Sequence, residues 1–324
     1  MDALSDVLRV MRLKGGVYLH GTYRGPWCIA AKVTRESCAP YLGETAHIIP
    51  YHFVVSGGVR VRVADGPDIE LGPGESVMFP RNDAHLLGSD LGLTPIPGEE
   101  AVRPAEGGGL MSIDIGDAGP ETRIVCGFLG SEDVRGNPVI GALPAALRLA
   151  ARDGRDGDWV RNTFQYAAER IAAGTTGSEA IMGKLSELLF VEAVQRYAES
   201  LPEAQRGWLA GLRDPYVSRA LALLHARLAE PWTVDALGRE VGLSRSALAA
   251  RFGDTLGMPP MQYLAAWRIH VAAHELVHSG KPIIQVAQAV GYESEASFTR
   301  AFKRAMDAPP AAWRRGRAAV ASAA

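Results

Sequence analysis

The stretch Val286-Ala-Gln-Ala-Val-Gly291-Tyr292-Glu-Ser294-Glu-Ala-Ser-Phe298-Thr-Arg300-Ala-Phe302-Lys303-Arg304 decides how the last third of this chain folds. A short apolar helix pattern stops at a glycine, a serine stands where a helix N-cap belongs, and two phenylalanines follow one turn apart. That is the pattern of a helix-turn-helix unit. The same cassette occurs about fifty residues earlier, as Val234-Asp-Ala-Leu237, Val241-Gly242-Leu243-Ser244, Leu248 and Phe252. The copies close on Pro259-Pro260 and Pro309-Pro310. Two groove-reading units in one chain suggest a protein that reads two stretches of one DNA face. Between them, Met261 to Ser279 reads as one helix of about 19 residues, roughly 28 Å at 1.5 Å per residue. Such a connector can hold two recognition helices about one DNA turn apart, roughly 34 Å.

Outward from this region the composition changes. From Tyr216 to Arg317 there are 13 Lys+Arg and 8 Asp+Glu, a balance of +5 in a chain whose net charge is −2. A basic C-terminal third beside an acidic front is expected of a DNA reader joined to something else. At 324 residues two domains are expected. No run of 18 apolar residues exists, so no membrane span is expected. Met1 to Lys14 has amphipathic helix spacing and lacks the continuous apolar centre of a signal peptide. Three widely spaced cysteines (Cys28, Cys38, Cys126) argue against a disulfide framework and for a reducing, cytoplasmic setting.

Residues 17 to about 130 read as β. Val59-Arg-Val61-Arg-Val63 alternates at period two after Gly57-Gly58, a hairpin signal. Frequent Gly/Pro turns between short strands suggest a closed or sandwich-like barrel. Thr94 to Gly109, rich in Gly, Pro and Glu, is expected to be a mobile loop, and Ser200 to Asp214 a linker. From about 143 the pattern is helical, with a long amphipathic helix around Ile181 to Tyr197. The expected division is 1–142 for a sensing domain, 143–200 for a helical dimerisation segment, 201–215 for a linker and 216–317 for DNA binding. The helix-turn-helix units fall at 233–254 and 282–305.

The second copy, continued through Pro309-Pro310-Ala-Ala-Trp313-Arg314, resembles the AraC/XylS family of bacterial transcription regulators. One departure is Asp307, where a glycine usually precedes the proline; Asp tolerates left-handed backbone. The resemblance implies groove-facing positions Arg245, Ser246, Ala249 and Ala250 in the first copy. In the second it implies Glu295, Ala296, Thr299 and Arg300, with Lys303 and Arg304 close behind. Arg can bond guanine bidentately and Glu can accept from cytosine N4, whereas alanine can do neither. The alternative for any single one of these residues is a solvated helix face.

The front resembles the cupin-type sensing domain of one branch of that family. Asp2-Ala-Leu4-Ser5-Asp6-Val7-Leu8, Pro26-Trp27, Tyr51-His52-Phe53, Cys126-Gly127 and Gly74-x5-Pro80-x-Asn82-x2-His85 carry the likeness. Cupins often bind metal through an HxH-x3-4-E cluster and a later His. Here His47 is five residues from His52, and Ser56-Gly57-Gly58 stands in place of the Glu, so the enzymatic set is broken. His52, His85 and Cys126 remain as a candidate Zn²⁺ site. The alternatives are two histidines beside a buried thiol, or a redox-reactive thiol.

The function expected is that of a sequence-specific transcription regulator, without enzymatic activity, answering an unknown effector. Its expected partners are promoter DNA, a second copy of the chain and RNA polymerase, with no membrane. The rival reading is a metal-dependent cupin enzyme fused to a DNA-binding domain. No phosphate-binding G-x-x-x-x-G-K-[ST], no C-x-x-C and no G-x-S-x-G occurs, so nucleotide hydrolysis and hydrolase chemistry lack motif support.

Overall fold

The computed structural model describes residues 2–42, 47–103, 110–131, 137–150, 162–167, 170, 175, 177–202 and 204–321. The chain forms two compact units that alternate along the sequence. One is residues 13–132 with 143–196; the other is 1–12 with 133–142 and 197–324.

Among the described residues the first unit has eleven strands. They are β1 (Lys14–Arg24), β2 (Cys28–Ala31), β3 (His47–Ser56), β4 (Val59–Val63), β5 (Ile69–Leu71), β6 (Ser76–Met78), β7 (His85–Gly88), β8 (Ile96–Pro97), β9 (Met111–Ile115), β10 (Glu121–Ser131) and β11 (Leu147–Leu149). They make a six-stranded sheet ordered β11-β6-β3-β10-β1-β9 and a five-stranded sheet ordered β5-β4-β7-β2-β8. One core joins them, with Leu19, Val54, Val77 and Ile124 from the first sheet and Ile29, Val61, Leu71 and Leu87 from the second. The expected barrel is thus a two-sheet sandwich, closed among the described residues by side-chain packing and not by a continuous hydrogen-bond ladder. The period-two pattern of β4 places Val59 and Val61 in the core. Its intervening arginines pair across the exposed face, Arg60 with Glu70 at 3.2 Å and Arg62 with Asp68 at 2.5 Å.

The helix Ser178–Ser200 lies on the six-stranded sheet through β1. A Cβ on either Gly15 or Gly183 would collide with the other residue's carbonyl oxygen, so the two backbones touch. Beside them the buried Tyr51 and Ser186 hydroxyls meet at 2.6 Å, and Ser186 donates to the Met182 carbonyl.

The second unit is helical. Pro215–Ala226 starts on Asp214, whose carboxylate accepts from the Tyr216 and Val217 amides. The first helix-turn-helix is Val234–Val241 and Arg245–Leu256, capped by Thr233 and Ser244 and turned at Gly242 (φ +83°). The straight connector is Pro260–His278, 19 residues. The second helix-turn-helix is Ile283–Ala289 and Glu295–Met306, with Ser294 as cap and Gly291 at φ +86°. Pro310–Ala321 follows. Asp307 adopts the left-handed conformation, φ +56°, that the departure from glycine requires. In each copy an aromatic three residues beyond the closing proline supports the recognition-helix phenylalanine. Tyr263 meets Phe252 edge-on at 5.9 Å, and Trp313 meets Phe302 edge-on at 5.9 Å.

Three expected boundaries are corrected. The segment 201–215 is not a free linker: Trp208 and Leu209 are buried, and the Trp208 indole donates to the Tyr263 hydroxyl at 2.9 Å. The sensing domain does not run unbroken from 1 to 142, because helices Ala3–Met11 and Pro138–Ala142 belong to the helical unit. Residues 143–196 belong with the sheets. Apolar faces too short to stand alone went to the nearest core, which residue order does not reveal. Within Thr94 to Gly109, β8 pairs with β2 and Gly98–Ala101 is a helical turn; 104–109 lie outside the described residues. Parts of 143–200 likewise lie outside them.

Candidate nucleic-acid interface and sensing cavity

Each recognition helix buries one stripe and exposes the other. In the first, Leu248 and Phe252 are fully buried, whereas Arg245, Ser246, Ala249 and Ala250 are exposed. In the second, Phe298, Phe302 and Met306 face the core. Glu295, Ala296, Arg300, Lys303 and Arg304 are exposed, and Thr299 is half-buried. Every position implied by the family resemblance therefore lies off the buried stripe. Serine caps leave first-turn amides beside this face, and together with Arg and Lys they suit phosphate as well as base edges.

The helical unit also holds arginines that sequence reasoning missed. Arg251 is drawn aside, bonded to Asp214 at 2.6 Å and placed over the Tyr216 ring. Arg268, on the connector, ties the segment leading into the first copy to the turn of the second through the carbonyls of Leu228, Glu230 and Gly291. A Cβ at Gly291 would come within 2.7 Å of that guanidinium, so this glycine serves both turn and clamp. Arg268 is far in sequence from all three acceptors, and no motif spacing announces it.

In the sheet unit, His52, Cys126 and His85 do come together. His52 and Cys126 are directly opposed on β3 and β10, and His85 comes from β7 of the other sheet. His52 Nδ1 lies 2.9 Å from Cys126 Sγ, and His52 Nε2 lies 2.8 Å from His85 Nε2. His85 Nδ1 lies 3.0 Å from the Asp83 carbonyl oxygen. A carbonyl only accepts, so His85 Nδ1 carries the proton and its Nε2 accepts. His52 then donates from Nε2, and its Nδ1 accepts from the Cys126 thiol. The chain has one neutral assignment from end to end. Burial holds His52 well below the usual imidazole range, lowers His85 to about 4 and pushes the Cys126 thiol up.

Here the three side chains are arranged as hydrogen-bond partners of one another. A single ion needs one lone pair from each ligand on a common centre, but His52 spends its two diverging nitrogens on two different neighbours. Among the described residues no group of three or more His, Cys, Asp or Glu is placed to hold a metal ion. A raised, buried thiol is also the reverse of a reactive one. His47, the other cupin-like position, is half-buried and bonds the Pro80 carbonyl.

These groups lie on the wall of a cavity of ≈ 570 Å³ that Leu19, Tyr23, Ile29, Leu87 and Ile113 also line. Phe79 stacks on His85 at 3.6 Å and fixes that ring. A pocket of this size, with an apolar wall and a few placed polar groups, has the properties of a small-molecule site.

A paired helix-turn-helix reader joined to a cavity-bearing β-sandwich defines a DNA-binding regulator with its own sensing domain. Residues 2–199 match the family model described as Cupin, and residues 237–316 match the model described as Helix-turn-helix domain. The chain belongs to the cupin family over its front, more than half its length, and is an AraC-type regulator by its architecture. It is 29% identical over 317 residues (97% of this chain, 98% of the other) to a Streptomyces lividans protein described as an AraC-like transcription regulator. It is 28% identical over 316 residues (97% and 99%) to the HTH-type transcriptional regulator AlkR of Acinetobacter baylyi. It is 23% identical over 315 residues (97% of each) to the RCS-specific HTH-type transcriptional activator RclR of Escherichia coli.

Proposed function

We propose that this protein binds promoter DNA through both recognition helices of one chain, answers a small effector held in the sheet cavity, and performs no catalysis. The carrying observation is the pair of recognition helices, each anchored by buried phenylalanines or leucine and each exposing the positions that the family resemblance implies for base reading. Phosphate contacts set position and the exposed side chains choose sequence. We further propose a homodimer through the helix Ser178–Ser200. Its sheet-facing side is fastened at Gly183 and Ser186, and Ile181 (43% exposed) and Leu188 (42% exposed) stand seven residues apart on another side. Such a stripe suits a second copy of the same helix. Among the described residues no helix is long and apolar enough to cross a membrane.

Footprinting of the full chain on DNA upstream of its own and neighbouring genes tests this reading. Protection of two major-groove patches about one turn apart per protomer is expected. Protection of a single patch, or none at any site at moderate salt, overturns it.

A further inference from the structure

The polar groups on the wall of the sheet cavity are of two kinds. Cys126, His52 and His85 satisfy one another and end on the Asp83 carbonyl, so neither imidazole keeps a ring nitrogen for a ligand. The Tyr23 hydroxyl is different. Tyr23 is 1% exposed and lines the cavity, yet its hydroxyl makes no hydrogen bond with any described residue. Its position is built: the ring stacks on Trp27 at 3.9 Å and 15°, and a Cβ at Gly21 would run into the hydroxyl. A cavity-wall hydroxyl that bonds no described residue is left to pair with whatever fills the cavity, a ligand or water.

Among the described residues that line this cavity, the charged ones lie only at its edge. Lys32, Asp65 and Glu99 are exposed, and the half-buried Arg62 is engaged by Asp68. Both signs occur there, so no field selects an ion. The inner wall offers Leu19, Ile29, Leu87 and Ile113, among which an ionised group would lose its hydration with nothing in return.

We propose that the cavity takes an uncharged, largely apolar molecule bearing one hydrogen-bonding oxygen, and that the Tyr23 hydroxyl is the group that recognises that oxygen. This rests on the reading of the cavity as the sensing site. The ligand's apolar body displaces water from the sheet core, and Tyr23 supplies direction. The Cys126–His52–His85 chain spans both sheets and serves as a rigid neutral floor.

Displacement of the fluorescent probe 1-aminoanthracene from the full chain at pH 8 tests the inference, with 1-decanol, decanoate and 1-fluorodecane as competitors. Decanol is expected to compete at least tenfold better than the ionised decanoate. It is also expected to compete about tenfold better than fluorodecane, which has the same body and no hydroxyl. Tyr23→Phe is expected to remove the advantage of decanol over fluorodecane while leaving probe affinity within twofold. Decanoate competing as well as decanol overturns the uncharged class and leaves the cavity as the sensing site. Equal competition by decanol and fluorodecane overturns the role of Tyr23, and needs no variant to be seen. Failure of the probe and every competitor to bind overturns the sensing site itself.

Discussion

The two helix-turn-helix copies share a scaffold and differ in what they present. Caps, glycine turns, buried phenylalanines and the supporting aromatic recur at matching places. The exposed faces do not match. The first offers Arg245 and Ser246 and then two alanines, and its Arg251 is held by Asp214. The second offers Glu295, Thr299, Arg300, Lys303 and Arg304, and among the described residues Arg300 and Lys303 have no hydrogen-bond or ion-pair partner. Duplicated packing with unequal surface chemistry leads us to expect that stability is shared between the copies while sequence reading rests on the second.

The strongest way to break this comparison is through the shared scaffold. Phe302→Ala and Phe252→Ala should each destabilise the helical unit by about 3–5 kcal/mol, measured by urea denaturation, because each removes a fully buried ring. A loss below about 1 kcal/mol in one copy only would show that the scaffolds are not equivalent.

The reading faces come next. Arg300→Ala should weaken specific DNA binding by about 1–3 kcal/mol and relax preference at one base position. Ala250→Ser, on the first face, should change affinity by less than about 0.5 kcal/mol. Equal losses from the two would mean that the first copy reads as much sequence as the second.

Salt dependence separates positioning from reading. Lys303→Ala should weaken binding on specific and random DNA alike and reduce the slope of log affinity against log salt by about one. An unchanged slope would place Lys303 away from phosphate.

The smallest expected effect is on the caps. Ser244→Ala and Ser294→Ala each remove a side-chain acceptor for a first-turn amide, that of Ala247 or Ser297. Each should cost about 1 kcal/mol, equally in the two copies, by thermal denaturation. A clear inequality would extend the difference between the copies from their surfaces into their frames.

Local pattern carried much of this. Ser294 and its counterpart Ser244 were legible as caps because capping needs only an oxygen at a fixed offset. The β4 alternation was legible because a strand shows its two faces in strict turn. The convergence of His52, Cys126 and His85 followed from residue type and a partial motif. Their mutual arrangement did not, since ligand and hydrogen-bond partner use the same side chains and differ only in which nitrogen points where. Tyr23 escaped notice because its only local signal is Gly21 two residues earlier on the same strand face.

The repeat, its turns and its caps depend on contacts within a dozen residues, so the amino-acid order alone determines the paired reader. Tertiary structure alone decided three other things. It placed Ala3–Met11 and Pro138–Ala142 with the helices at the far end of the chain. It let Arg268 hold together carbonyls 23 to 40 residues away. It made a neutral hydrogen-bonded chain where a metal site was expected. Each joins groups remote in sequence, and which remote groups meet is set by how apolar faces share cores and how buried polar atoms find partners.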